Sequence, residues 1–407
     1  MRILWLTTML PWPPDSGGRQ DPYYTLREFS RLGHKMTSAV IFHEGKIPDI
    51  PPEISELVES VHFIPGNPNS LLKRLMTSLS DKIPFKFRKY HSGEGVEKLY
   101  EILSGKPGFD AVVAYHLHLS PLLQDCIKKL VDAGIAPPKI VMRAPNVEST
   151  IVSKYSDRID NPLVKIFASA EAEKMKAYET GILSEFDLVA AISPVDKTVF
   201  DKMTGGRANA VSITAGVDID EIRPSDTSIE KGEVVFVGSF DWHPNVDGAL
   251  WLIEKVWPKV LGKFPSAHLS LVGRKPPPYL EKAAGKNISI TGRVESVEEF
   301  IQKATCIVVP LWIGSGMRLK ILEAFAYGKA VVSTSLGAEG IEAIDGEHII
   351  IRDDPDQFAL AVIDILTNEK IRNKISSNAR TLVEMKYSWK KVALDFVGEI
   401  EKLMNRG

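Results

Sequence analysis

Cysteine is almost absent from this chain. Cys126 and Cys306 are its two cysteines in 407 residues, both in apolar surroundings. That excludes a disulfide framework and points to a reducing compartment. Apolar runs long enough to span a bilayer are missing as well. So is an excess of charge of either sign: 50 Lys and Arg oppose 52 Asp and Glu, a formal net charge of -2. Nothing global draws the chain to nucleic acid, and no nucleic-acid partner is expected. No Cys/His spacing for zinc occurs, no G-x-x-x-x-G-K-[ST] loop and no G-x-S-x-G elbow. No G-x-G-x-x-G follows the first strand, which argues against a plain nicotinamide dehydrogenase. The start, Met1-Arg2-Ile3-Leu4-Trp5-Leu6, is apolar but too short for a secretory signal, and Pro11, Pro13 and Pro14 interrupt it. A cytoplasmic location follows as the expectation, with any membrane contact peripheral and at the inner face.

What is present is a repeating alternation. Apolar runs at Ile3–Thr7, Lys35–Phe42, Ala111–Ala114, Ile140–Arg143 and Leu188–Ile192 read as strands, with helical stretches between them. Tyr23–Leu32 is the first of these helices. A polar, turn-rich stretch at 215–232 marks a boundary. The pattern then restarts with Val234–Gly238, a helix over Asp247–Val260, and His268–Gly273. Ile288–Ile290, Cys306–Val309 and Ala330–Thr334 follow. The length suits two domains. The expectation is an α/β chain of two Rossmann-like doubly wound domains, 1–215 and 216–386, facing a central cleft. A C-terminal helix over 387–404 would pack back on the first domain.

The most informative segment runs from Gly314 to Val332. The apolar strand Cys306–Val309 precedes it. Gly314-Ser315-Gly316-Met317-Arg318-Leu319-Lys320 then leads into a helical stretch, and Gly328 and Ala330-Val331-Val332 close the unit. Strand, glycine loop, helix and strand together offer backbone N–H groups to a phosphate. Arg318 and Lys320 add two cations and Glu323 a lone carboxylate, which suits a nucleoside diphosphate joined to a hydroxyl-rich group. Gly17 and Gly18 follow the first strand and permit close approach to a ligand. His116 and His118 follow the strand Ala111–Ala114; strand alternation lets only one face a cleft, with His116 the candidate and His118 its alternative. Asn146 and Glu148 follow a further strand, and Glu148 could equally cap a helix. Asp218-Ile219-Asp220 is read as structural, and no metal ligands are assigned. Basic and apolar residues interleave over 71–90, which suits a peripheral contact with anionic lipid or a solvated face packed on domain one.

Taken in order, these segments resemble the retaining glycosyltransferases of the GT-B fold, family four. The resemblance rests on Pro13-Pro14-Asp15-Ser16-Gly17-Gly18, Gly216-Val217-Asp218, Val235-Phe236-Val237-Gly238, Leu271-Val272-Gly273 and Thr291-Gly292-Arg293-Val294. Leu322-Glu323-Ala324-Phe325-Ala326-Tyr327-Gly328-Lys329-Ala330-Val331-Val332 is its strongest piece. The subgroup with Gly314-Ser315-Gly316-Met317-Arg318-Leu319-Lys320-Ile321-Leu322-Glu323-Ala324 is the nearest match. The chain departs from the family in three places. Ser315 stands where a first Glu is common. Ser239 and His243-Pro244-Asn245 stand where an Arg and a Lys usually hold the diphosphate. Pro145 stands where relatives carry a His.

The resemblance implies a metal-independent enzyme of hexosyltransferase type, without cofactor. It would move a sugar from a nucleotide-sugar donor to a hydroxyl acceptor, as in polysaccharide or glycolipid synthesis. His116, Arg318 and Lys320 are the candidate catalytic residues. Gly17, Gly18, Gly238, Ser239, Arg293, Val294, Ser315, Gly316, Met317, Leu319 and Glu323 are candidates for the donor, and Asn146 and Glu148 for the acceptor. Rival readings are a catalytically weak nucleotide-sugar-binding or scaffold subunit, and an epimerase or phosphorylase on the same fold.

Overall fold

The computed structural model describes residues 1–43, 47–70, 73–74, 76, 82–156, 161–224, 229–314 and 316–405, without the side chains of Tyr155 and Leu163. The chain divides into two units: Met1–Thr214 with Trp389–Gly407, and Ala215–Ser388. Each is built on one parallel sheet.

In the first unit the strands are β1 (Arg2–Thr7), β2 (Lys35–Phe42), β3 (Ser60–Pro65), β4 (Ala111–Tyr115), β5 (Lys139–Ala144), β6 (Leu188–Ala191) and β7 (Ala210–Ser212). They lie in the order β3-β2-β1-β4-β5-β6-β7, every pair parallel. Ile3 to Leu6 and Ala111 to Ala114 are wholly buried, as expected for strands covered on both faces. The second unit carries β8 (Glu233–Val237), β9 (His268–Val272), β10 (Ile288–Ile290), β11 (Cys306–Val309), β12 (Val331–Ser333) and β13 (Ile350–Ile351), in the order β10-β9-β8-β11-β12-β13. Both sheets are doubly wound, as the alternation predicts.

The strand order locates the ligand-binding crevice in each unit. Sequence order reverses between β1 and β4 in the first sheet and between β8 and β11 in the second. In open α/β sheets the carboxyl ends of the strands at such a reversal carry the ligand.

Two helices differ from their expected bounds. The first spans Gly17–Arg31, not Tyr23–Leu32, so Gly17 and Gly18 are its first turn and not a loop. Pro22 lies inside it, and the Trp5 indole Nε1 donates to the Pro22 carbonyl at 3.1 Å. The expected helix Asp247–Val260 begins earlier, at His243, with Pro244 in its first turn. It continues as a π turn at Leu252–Val256 and resumes as Trp257–Lys263. Pro258 has no N–H to give the preceding turn, and widening the turn before it accommodates that loss.

Interior polar contacts tie distant elements of the first unit together. Arg143 on β5 forms a two-pronged pair with Asp21 of the first helix, Nε to Oδ2 and Nη2 to Oδ1 both at 2.9 Å. The same guanidinium donates to the carbonyls of Ile213 and Thr214. The C-terminal helix Trp389–Met404 belongs to this unit: Trp389 stacks on Tyr24 at 5.4 Å, and Phe396 meets Phe29 edge-on at 5.5 Å.

Candidate functional site

In the second unit the loops after β8, β9 and β11 come together, and the predicted donor residues lie after β8, β10 and β11. Two glycines let the first two loops meet. A Cβ on Gly273 would lie 1.7 Å from the Gly238 carbonyl oxygen, and Gly273 sits at φ 153. A Cβ on Gly238 would lie 2.9 Å from the Asn245 side chain. Phe240 N–H donates to the Arg274 carbonyl at 2.9 Å. This contact brings Arg274 to Ser239: its Nε donates to Ser239 Oγ at 2.8 Å, and Ser239 Oγ donates to Asp241 Oδ1 at 2.5 Å. Lys275 Nζ lies 3.3 Å from Asp241 Oδ2. Sequence reading marks residues 239–245 as lacking cations. The fold supplies one from the next loop, and the signal for it was Leu271-Val272-Gly273 running directly into Arg274.

After β11 the chain passes through Gly314, at φ 146, and Gly316, at φ 75, before the helix Leu319–Ala326. Ser315 lies outside the described residues. Arg318 precedes the helix without capping it through its side chain. Its guanidinium turns onto the loop instead, to the carbonyls of Gly316 and Leu336. Met317 is buried, and its Sδ accepts the Ala215 N–H at 3.4 Å. Lys320 points at the β8 end. Its Nζ donates to Asn245 Oδ1 at 3.0 Å and lies 4.9 Å from the centroid of the Phe236 ring. Asn245 Nδ2 donates in turn to the Ser239 carbonyl at 2.8 Å. Arg274, Ser239, Asn245 and Lys320 thus form one connected set across three loops.

Burial first, and then the nearby Arg318, push the Lys320 ammonium down to about 7, partly countered by Glu323. A neutral amide and a ring face, the latter worth roughly 1–2 kcal/mol, do not offset the desolvation of an ammonium. Glu323 is half-buried one turn further along the helix. Gly292 takes φ 67 in the loop after β10, where Arg293 is exposed and Val294 half-buried. A cavity of about 380 Å³ beside Lys329, Arg372 and Arg380 opens where β11 and β12 begin. It lies at the strand ends opposite these loops, and its cations are spent on carbonyls: Lys329 on Gln302 and Ala304, Arg380 on Ile222 and Ala326.

In the first unit the crevice residues are Gly17 and Gly18 after β1, and His116 and His118 after β4. Space for a Cβ is open at Gly18. The two histidines do not alternate as strand residues would. β4 ends at Tyr115, His116 takes φ 75, and Leu117–Leu119 is a single 3₁₀ turn. Both rings therefore come to the same place, 5.7 Å apart. Glu148 joins them: its Oε2 lies 3.6 Å from His118 Nε2 and accepts from Lys86 Nζ at 2.9 Å. Glu148 opens its helix, Glu148–Ser156, and a carboxylate from elsewhere meets the first N–H groups of that helix. That carboxylate is Glu179, its two oxygens accepting the N–H groups of Glu148 and Ser149, both at 2.9 Å. Burial pushes Glu179 up to about 7 and His118 down to about 3, and it also lowers His116. For Glu148 burial acts upward, but His118 and Lys86 outweigh it and hold the carboxyl below its usual range. Asn146 is half-buried in the turn before that helix. Of the basic stretch 71–90, residues 71–72, 75 and 77–81 lie outside the described residues, while Phe87 and Arg88 are buried. Among the described residues no helix is long and apolar enough to cross a membrane.

Residues 231–368 match the family described as glycosyl transferases group 1. The chain is 25% identical over 401 residues to an uncharacterised 44.6 kDa protein in the cps region of Klebsiella pneumoniae, covering 96% of this chain and 97% of that one. It is 28% identical over 215 residues to phosphatidyl-myo-inositol mannosyltransferase of Mycobacterium tuberculosis, covering 49% of this chain and 56% of that enzyme. Among solved structures it is similar to sucrose-phosphate synthase from Thermosynechococcus elongatus, with TM-score 0.76, 15% identity and full coverage of both chains. It is also similar to HepE of Anabaena, solved with UDP and glucose, with TM-score 0.66, 14% identity and coverage of 98% and 99%. The match to glycosyl transferases group 1 thus lies within the second unit, and the two doubly wound sheets of the chain are those of the GT-B fold.

Proposed function

We propose that this glycosyltransferase moves a hexose from a nucleotide-diphosphate sugar to a hydroxyl acceptor, with anomeric retention, in surface polysaccharide or glycolipid synthesis. The observation that carries the reading is Lys320, a half-buried lysine whose ammonium is held by a neutral amide beside a helix start with no side-chain cap. A diphosphate there receives Lys320, Arg274 and the first N–H groups of Leu319–Ala326, so its charge is met without a divalent ion at that position. Arg318 shapes the loop, Glu323 takes the ribose hydroxyls, and the loop at Arg293 and Val294 meets the base. The complexes of HepE with UDP and with UDP-glucose support a nucleotide-sugar donor. The cps-region and mannosyltransferase relatives support the polymer or lipid setting.

In this reading the leaving diphosphate is stabilised as its bond to the anomeric carbon breaks. A phosphate oxygen accepts the proton of the incoming hydroxyl on the same face, and the new glycosidic bond forms there. Gly17, Gly18 and Asn146 of the first unit serve the acceptor. The enzyme works in the cytoplasm at the inner membrane face, with the 71–90 stretch as its peripheral contact.

A thermal-shift screen against UDP, GDP, ADP, CDP and dTDP sugars tests this directly. One nucleotide class should raise Tm by linkage, and NMR of the product should show the donor's anomeric configuration. An inverted product would sink the retaining mechanism. Stabilisation without turnover on any acceptor pool would favour a binding subunit, and donor consumption without acceptor an epimerase.

A further inference from the structure

We propose that His116, His118 and Glu148 form a binding site for a transition-metal ion of the zinc class. One ligand atom from each lies within 4.8 Å of the other two. Two imidazoles and one carboxylate are a donor set that suits zinc and its neighbours, and their nitrogens disfavour magnesium or calcium.

Further observations point to a ligand at this cluster. Nδ1 of His116 and Nε2 of His118 are buried, and neither has a hydrogen-bond partner. Native interiors rarely leave such atoms unmet. His118 is 6% exposed and Glu148 2% exposed, so bulk water does not serve them. The backbone of His116 sits at φ 75, in a region that non-glycine residues seldom occupy. It is held there by its own N–H to the Arg143 carbonyl at 3.1 Å and by the Leu119 N–H to its carbonyl at 3.2 Å. That turn is what aims both rings at one point. Phe87 and Tyr90 pack against the His118 ring at 4.8 and 5.3 Å and fix its plane. Glu179 fixes the start of the helix that carries Glu148. Rigid support of this kind is what a metal site requires.

Lys86 is the one cation bonded to the cluster among the described residues, through Glu148 Oε2. Its side chain is 51% exposed, whereas that of Glu148 is 3% exposed. The ammonium holds the place of the metal ion and can retire to water when the ion enters. His116 and His118 stand two positions apart in the sequence, and Glu148 joins them from beyond the next strand.

The test uses the full chain, stripped with a chelator and freed of any histidine tag. Zn²⁺ and Co²⁺ are titrated by calorimetry, and bound metal is counted by elemental analysis after gel filtration. One equivalent should bind, raise Tm, and give Co²⁺ a visible spectrum with nitrogen ligands. His118→Ala and Glu148→Gln should each lower affinity by about 100-fold or more, whereas His91→Ala, at a half-buried histidine outside the cluster, should leave it unchanged. Lys86→Met removes a like charge and should tighten binding by about tenfold. Because Lys86 is exposed, this variant folds even where the ligand variants do not. No stoichiometric binding at micromolar metal, or binding that Lys86→Met leaves unchanged or weakens, overturns the proposal. Such a result would leave a buried water as the bridge between these groups.

Discussion

Lys320 Nζ sits 3.0 Å from Asn245 Oδ1 and 4.9 Å from the face of Phe236, joining residues 75 positions apart at the carboxyl end of the central strand β8. The relationship converts a lysine beside a glycine loop into a half-buried cation whose side-chain acceptor is a neutral amide. Its consequences for activity are testable.

Lys320→Met should lower donor kcat/KM by about 10²–10³, the usual loss when one donor to a developing negative charge is removed. Thermal stability should hold, because methionine fills the same volume without a buried charge. Steady-state kinetics beside a melting curve separates the two effects. A fall in Tm that accounts for the lost activity would remove Lys320 from the site.

The same residue predicts a pH dependence. With its ammonium pushed down to about 7, Lys320 loses its proton in the free enzyme as pH rises through that value. Arg318 lowers it and Glu323 raises it, after burial. A diphosphate binds the protonated form, so donor affinity should be full below pH 7 and weaken by up to about tenfold per pH unit above it. Calorimetric titration of the nucleotide diphosphate from pH 6 to 9 measures the slope. Lys320→Arg should flatten it.

Arg274 reaches Ser239 from the loop after β9 at 2.8 Å. Arg274→Ala should raise the donor KM about tenfold with little change in kcat, and Arg274→Lys should recover part of the loss. The residue is exposed, so Tm should not move. An unaltered KM would leave the diphosphate to Lys320 and the helix start alone.

In the first unit, Asp21 and Arg143 are both buried, and breaking one side of such a pair is costly. Asp21→Ala should destabilise that unit by about 3–5 kcal/mol, measured by urea unfolding. The double change Asp21→Leu with Arg143→Met should cost less than the sum of the single changes, because neither partner is left charged and alone. Full additivity would mean that the two do not act as a pair.

The fold was legible because its strands are apolar on both faces. Val234 to Phe236 and Cys306 to Val309 are buried, and their runs are continuous in the sequence. Helix bounds were less legible wherever proline intervened. Pro22 lies inside a helix that begins at Gly17, and Pro258 follows a π turn that accommodates it.

The candidate site divides along the same line. Glycine at 314 and 316, a helix start at Leu319 and the acid at Glu323 are local features, and residue order displays them. Which cation faces inward is not local. Arg318 and Lys320 look equivalent in the sequence, but Arg318 braces carbonyls of its own loop while Lys320 crosses to Asn245. Likewise, one positive-φ residue at His116 ended the alternation that would have separated it from His118.

By itself, then, the amino-acid sequence determined two parallel α/β units and the loop that opens the helix Leu319–Ala326, because apolar runs and glycine act within a few residues. Only the tertiary structure decided the partners of Lys320, the arrival of Arg274 at Ser239 and the meeting of His116, His118 and Glu148. Each depends on which strands become neighbours in a sheet, and that order is set by packing of the whole unit and not by any single stretch of chain.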